Sequence, residues 1–274
     1  MVQILNGKLR SQEILDQLKK EIALTNIHPG LAVILIGDNE ASRLYVSIKE
    51  KRCHEVGIDF HKYLLPTDCR EKNILDTINF LNHDESVHGI VVQLPLPNKF
   101  DTEKIINSID PKKDADGFHP ENLELIQKGK TFIVPPLISS ILDLINQTKE
   151  NIAGKKAIVM ANSETIYLPL EKALEKYGVK TEFHTAEEKN LGHKTKLADI
   201  LIVAVGRPKF ITKNMVKKNS IIIDVGTNKI NSKTIGDVDP EVDKICAYRS
   251  PVPGGVGPLT VAYLLFNVLK LSKI

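Results

Sequence analysis

Leu31-Ala-Val-Ile-Leu-Ile36, followed at once by Gly37-Asp38-Asn39, is the stretch from which the fold is read. Six apolar residues without alternation fit a strand buried on both faces, and the Gly-Asp-Asn that follows fits its exit loop. Upstream, residues 8–25 read as a helix with Ile14, Leu15, Leu18 and Ile22 on one stripe. Downstream, residues 41–56 read as a helix closed by Gly57. The alternation continues with a strand from Phe60 to Leu65 and a helix from Glu71 to Asn82. A second buried strand, Gly89-Ile-Val-Val-Gln-Leu94, is stopped by Pro95 and Pro97, and a short helix runs from Thr102 to Ser108. Strands alternating with helices mean a parallel α/β sheet.

A second series follows. Residues 134–148 read as helical beyond Pro136, and a helix from Pro169 to Tyr177 is closed by Gly178. The strands are Lys156–Met160, Val179–His184, Leu201–Val205 and Ile221–Val225. This predicts a Rossmann-type doubly wound unit, with ligand loops at the carboxyl ends of its strands. Near the end stands Pro251-Val-Pro-Gly-Gly-Val-Gly-Pro-Leu-Thr260, ahead of a helical apolar run from Val261 to Lys270. Its prolines fix φ, and its glycines permit close backbone approach or positive φ. Such a loop suits backbone-mediated ligand binding; it also suits an ordinary turn before a terminal helix. The expected organisation is two α/β domains. Residues 1–120 plus 253–274 form a catalytic domain to which the last helix returns, and residues 121–252 form the Rossmann-type domain.

Composition sets the remaining bounds. A chain of 274 residues with 42% hydrophobic content has ample core for one large or two modest domains. A net charge of +3, with basic residues dispersed among acids, gives no nucleic-acid footprint. Cys53, Cys69 and Cys246 form no C-x-x-C pair and are odd in number, which argues against a disulfide framework. The histidines lack zinc-site spacing, so no metal is expected. No apolar run reaches membrane-spanning length, and the N-terminal residues lack a signal-peptide core. A reducing, cytoplasmic location is expected.

Three polar sets follow strands of the first series. In Gly37-Asp-Asn-Glu-Ala-Ser-Arg-Leu-Tyr45-Val-Ser-Ile-Lys49, Tyr45 and Lys49 are four apart and share a helical face. Lys51 and Arg52 are like-charge neighbours that help lower the Lys49 pKa, and a lysine so tuned can act as a base or steer a water. The alternative is two surface residues. Gln93 ends an otherwise apolar strand, where its amide must find partners. Asp114 and Asp116, in Pro111-Lys-Lys-Asp-Ala-Asp116-Gly-Phe-His-Pro, could take N–H donors of a heterocycle or form a charged turn.

With the Pro/Gly loop, these motifs in this order resemble the FolD family, methylenetetrahydrofolate dehydrogenase/methenyltetrahydrofolate cyclohydrolase, over essentially the whole chain. The resemblance implies that Lys49 is the main catalytic lysine, that Gln93 hydrogen-bonds and tunes it, and that Tyr45 stacks along a tetrahydrofolate substrate. Asp116 would hold the pterin ring, and Pro253, Gly254 and Gly255 would line the folate slot. It also implies NADP as cofactor and a homodimer formed through the nucleotide-binding domains.

The nucleotide loop departs from the family pattern. Where Gly-x-Ser-x-x-x-Gly-x-Pro is usual, this chain has Ala161-Asn-Ser163-Glu-Thr-Ile-Tyr167-Leu-Pro169. Ser163 remains. Ala161 and Tyr167 replace glycines that let backbone approach a pyrophosphate, and Glu164 adds negative charge there. Pro135-Pro-Leu-Ile-Ser-Ser140 also departs from the usual Pro-Cys-Thr-Pro-x-Gly. Gly206, Gly226 and Asn228, in Val205-Gly-Arg-Pro208 and Asp224-Val-Gly-Thr-Asn228, keep the second half of the site. The expectation is a cyclohydrolase with weakened or lost NADP-dependent dehydrogenase activity. The alternatives are the full bifunctional enzyme, using NADP or NAD, and a non-catalytic folate-binding or partner-binding protein.

Overall fold

The computed structural model describes residues 1–25, 27–130, 132–231 and 233–274, with the backbone alone at 165 and 166. The chain opens with β1 (Gln3–Ile4), α1 (Gly7–Thr25), β2 (Gly30–Ile36), α2 (Glu40–Val56), β3 (Asp59–Leu65), α3 (Glu71–His83) and β4 (Gly89–Val92). Then come α4 (Thr102–Ile106), α5 (Pro120–Gln127), α6 (Pro136–Gln147), β5 (Lys156–Ala161), α7 (Glu164–Glu175), β6 (Lys180–His184), α8 (Leu191–Thr195) and β7 (Ile200–Ala204). It closes with β8 (Ile221–Asp224), β9 (Asn228–Ile230), β10 (Lys233–Ile235), β11 (Tyr248–Arg249) and α9 (Val256–Leu271). Among the described residues no helix is long and apolar enough to cross a membrane.

The chain forms two compact units, residues 11–136 with 261–274 and residues 1–10 with 137–260. The expected divisions near 120 and 252 fall earlier than these. The first ten residues join the second unit because β1 pairs in parallel with β11, Gln3 opposite Tyr248.

In the unit of residues 11–136 and 261–274, a three-stranded parallel sheet has the order β3-β2-β4. Every residue of β2 and β4 is buried, as their unbroken apolar runs require. Edge strand β3 has no buried residue, and half-buried and exposed positions alternate from His61 to Leu65. Ile74, Ile78 and Leu81 of α3 pack with Ala32, Ile34, Ile90 and Val92 in one core cluster. Each such buried leucine, isoleucine or valine contributes about 1.5–3 kcal/mol.

In the other unit a six-stranded, all-parallel sheet has the order β1-β11-β8-β7-β5-β6. The order reverses at β5, which sends the chain to β6 on one side and then to β7 on the other. In such an open α/β sheet the switch point puts a ligand crevice beyond the ends of β5 and β7. Helix α7 starts at Glu164, five residues before the expected Pro169, which lies inside it. Helix α9 starts at Val256, before the expected Val261.

Candidate active site

Helix α2 carries the first group of candidates. The Asn39 side chain caps it by accepting from the Ser42 N–H at 3.0 Å, and Gly57 ends it in the left-handed region at φ 91°. Tyr45, Lys49 and Cys53 follow at four-residue spacing on one face. Lys49 Nζ donates to Gln93 Oε1 at 2.9 Å. Gln93 Nε2 donates to the Leu94 carbonyl at 2.7 Å, which aims the amide oxygen at the lysine. The Gln93 backbone N–H also bonds the Ile34 carbonyl, so the sheet fixes its place.

Burial lowers the Lys49 pKa, opposed by the charge of Asp116. The like-charge account of this shift does not hold, because Arg52 pairs with Glu55 at 2.5 Å and Lys51 approaches the same carboxylate at 4.0 Å. One turn on, burial pushes the Cys53 thiol up, so it stays neutral near the lysine.

The two aspartates of the third motif have separate employments. Asp114 is buried; its Oδ1 accepts from Gly117 N at 2.9 Å, and its Oδ2 from His119 N at 2.7 Å and Asn122 Nδ2 at 3.0 Å. Gly117 has φ 71°, and a Cβ there would come within 3.2 Å of the Ile133 side chain and the Pro135 backbone. From α9, Asn267 Nδ2 donates to the carbonyls of Ala115 and Val134, both at 2.9 Å. The loop is thus pinned on both sides of Asp116. The Asp116 carboxylate has no hydrogen-bond partner among the described residues. Burial raises its pKa to about 6, against the pull of Lys49. The sequence signals Asp114 as organiser only through its D-x-D-G spacing and carries no signal for Asn122 or Asn267.

The other unit holds the remaining candidates. Ser163 is the N-cap residue of α7, exposed and without a side-chain capping bond. Asn162 Nδ2 donates to the Val205 carbonyl at 3.2 Å, which joins the loops after β5 and β7. Ala161 is fully buried within β5, opposite Ala204. Tyr167 does not lie across the start of α7. Its hydroxyl donates to Glu171 at 2.6 Å, and its ring packs against Phe183 of β6 with centroids 5.2 Å apart. Glu164 is exposed in the first turn.

Gly206 has φ 66° and open space where a Cβ would sit. Asn228 Nδ2 is committed to the Ile235 carbonyl at 3.2 Å and Asp237 Oδ1 at 2.8 Å. Gly226 N donates to Asp224 Oδ1 at 2.9 Å. Pro253, Gly254 and Gly255 belong to this unit; the Gly254 carbonyl accepts from Lys8 N at 2.9 Å. Bare backbone at Gly206 and exposed N–H groups at the start of α7 fit a dinucleotide, since a helix N-terminus attracts phosphate.

An α/β chain with a lysine–amide–carboxylate cluster in one unit and a dinucleotide-type parallel sheet in the other is built as a nucleotide-linked enzyme of small-molecule metabolism. Two sequence models match it: tetrahydrofolate dehydrogenase/cyclohydrolase, catalytic domain, over residues 5–116, and the NAD(P)-binding domain of the same family over residues 135–274. The chain belongs to this family, the FolD family of folate one-carbon metabolism. It is 41% identical over 277 residues to the bifunctional protein FolD of Nitratiruptor sp., covering 99% of this chain and 98% of that one. The crystal structure of the bifunctional enzyme FolD from Campylobacter jejuni matches at 39% identity with a TM-score of 0.95, over 100% of this chain and 99% of that one. The FolD of Trypanosoma brucei, solved with NADP cofactor and an inhibitor, matches at 29% identity and a TM-score of 0.94, over 99% and 97%.

Proposed function

We propose that this protein is a full bifunctional enzyme, which oxidises 5,10-methylenetetrahydrofolate with NADP and hydrolyses 5,10-methenyltetrahydrofolate to 10-formyltetrahydrofolate. The observation that carries the reading is the 2.9 Å bond from Lys49 to Gln93, with the unpartnered Asp116 carboxylate electrostatically coupled to the lysine. In the hydrolytic step, water adds to the methenyl carbon, the bond from that carbon to N5 opens, and the formyl group stays on N10. One proton is released overall. A lysine with a lowered pKa can accept the proton of the attacking water, and Gln93 holds its nitrogen in place. Asp116 takes N–H donors of the pterin, and Tyr45 stacks along the folate.

For NADP, Ser163 and the start of α7 would take phosphate, with Gly206, Gly226 and Asn228 on the loops beyond β7 and β8. NADP supplies a hydride acceptor there. The packing of Tyr167 against Phe183 supports this reading. A hydrolase with weakened hydride transfer is the second reading, favoured by the carboxylate of Glu164 in the first turn of α7. Separate assays of methenyl hydrolysis and methylene oxidation, with calorimetry of NADP and NAD, test the two. Hydrolysis without coenzyme binding would overturn the bifunctional reading. A homodimer and a cytoplasmic location are proposed with it, to be tested by sedimentation equilibrium and cell fractionation.

A further inference from the structure

The unit with the six-stranded sheet contains two buried carboxylates that neither reaction uses. Asp224 ends β8 and is 2% exposed; Asp237 follows β10 and is 0% exposed. Among the described residues neither forms a salt bridge, although the Arg249 guanidinium, paired with Asp243, lies within electrostatic reach of Asp224. Asp237 Oδ2 accepts two successive backbone N–H groups, Val205 at 2.7 Å and Gly206 at 2.9 Å. Its Oδ1 accepts Asn228 Nδ2 at 2.8 Å. Its own N–H donates to Asp224 Oδ1 at 3.0 Å, the oxygen that also receives Gly226 N at 2.9 Å. Asp224 Oδ2 receives Val238 N at 3.0 Å.

The two carboxylates therefore tie together the turn after β7, the loop after β8 and the hairpin of β9 and β10. Two glycines make room for them. A Cβ on Gly226 would fall 2.2 Å from Asp237 Cγ, and one on Gly236 would fall 1.9 Å from Asp224 Oδ2. Holding two like charges together in the interior is costly unless every oxygen is hydrogen-bonded. A turn could be closed by neutral groups at less expense, so the arrangement points to a requirement on loop shape.

We propose that Asp237, backed by Asp224, is a positioning residue for the coenzyme: its carboxylate sets the conformation of the loops on which the dinucleotide lies. This rests on the bifunctional reading. The carboxylate turns the Val205 and Gly206 N–H groups inward, away from any ligand. The Gly206 turn then offers bare backbone for a ring or ribose to lie against. Phosphate is left to the start of α7, where the N–H groups are exposed.

Asp237→Asn is the direct test. An amide puts an NH₂ or a single acceptor where two N–H groups and the Asn228 amide converge. Loss of a charge-assisted bond predicts that the NADP Kd by calorimetry rises about tenfold or more. The KM for NADP should rise in step, while kcat at saturating coenzyme stays within about twofold, since loop position governs binding rather than the bound geometry. Amide exchange at Val205 and Gly206 should accelerate. A variant with an unchanged Kd beside a wild type that binds NADP overturns this inference alone; a wild type that binds no coenzyme overturns the bifunctional reading with it. If the variant does not fold, NADP is titrated into the wild type by NMR. Shifts at the Val205, Gly206 and Gly226 amides are expected, and unmoved resonances there overturn the proposal.

Discussion

Asp114 and Asp116 are two residues apart and chemically alike, yet hydrogen bonding separates them. Three donors hold Asp114, while Asp116 has none among the described residues and a pKa raised by burial to about 6. The raised pKa has a sign for stability. Between the ordinary carboxylate value and about 6 the folded chain binds a proton that the unfolded chain has released, so stability is lost as pH rises through that window. Asp116→Asn removes this loss. Its melting temperature relative to wild type should climb between about pH 4 and pH 6, while binding of a folate analogue weakens, because an amide offers one acceptor and a mismatched donor. A melting difference that stays flat with pH would count against the assignment. Lys49→Ala should lower methenyl hydrolysis by about 10²–10⁴-fold with thermal melting retained, and near-normal turnover would remove Lys49 from the mechanism.

The helices differ in how openly the sequence declares them. Helix α2 is legible from its closing Gly57, and its reactive face follows from four-residue spacing; Asn39, read as part of the exit loop of β2, is its cap. Asn39→Ala should destabilise by about 1 kcal/mol, read as a lower denaturant midpoint with an unchanged slope, and should blunt hydrolysis through the loosened helix. An unaltered midpoint would mean that the cap is dispensable. Helix α7 departs from its expected start because Pro169 resembles a first helical residue, whereas Ser163 takes the cap position and the helix begins five residues earlier. Tyr167 was misplaced for the same reason: on a helix begun at Glu164, its ring reaches β6. Strands β1 and β11, of two residues each, carry no periodicity to detect. The roles of Asp114 and Asp237 depend on which backbone N–H groups converge on them, and that is a property of the fold.

For the molecule as a whole, the alternation of strand and helix was readable, whereas the membership of its ends was only partly so. The terminal segment illustrates this. Leu264, Leu265, Val268 and Leu269 of α9 are at most 2% exposed, and Asn267 pins Ala115 and Val134. A chain ended at Thr260 should therefore lose ordered structure in residues 11–136, seen as collapsed amide dispersion and protease sensitivity there. Native dispersion in that segment would show that the terminal helix is not needed. The pairing of β1 with β11 carries a further consequence, for the order of events at the ribosome. Residues 3 and 4 emerge well before their strand partners, 248 and 249. At ordinary elongation speeds of ~5–20 residues per second, the leading strand waits on the order of tens of seconds. That edge of the sheet closes only after Tyr248 and Arg249 have been made.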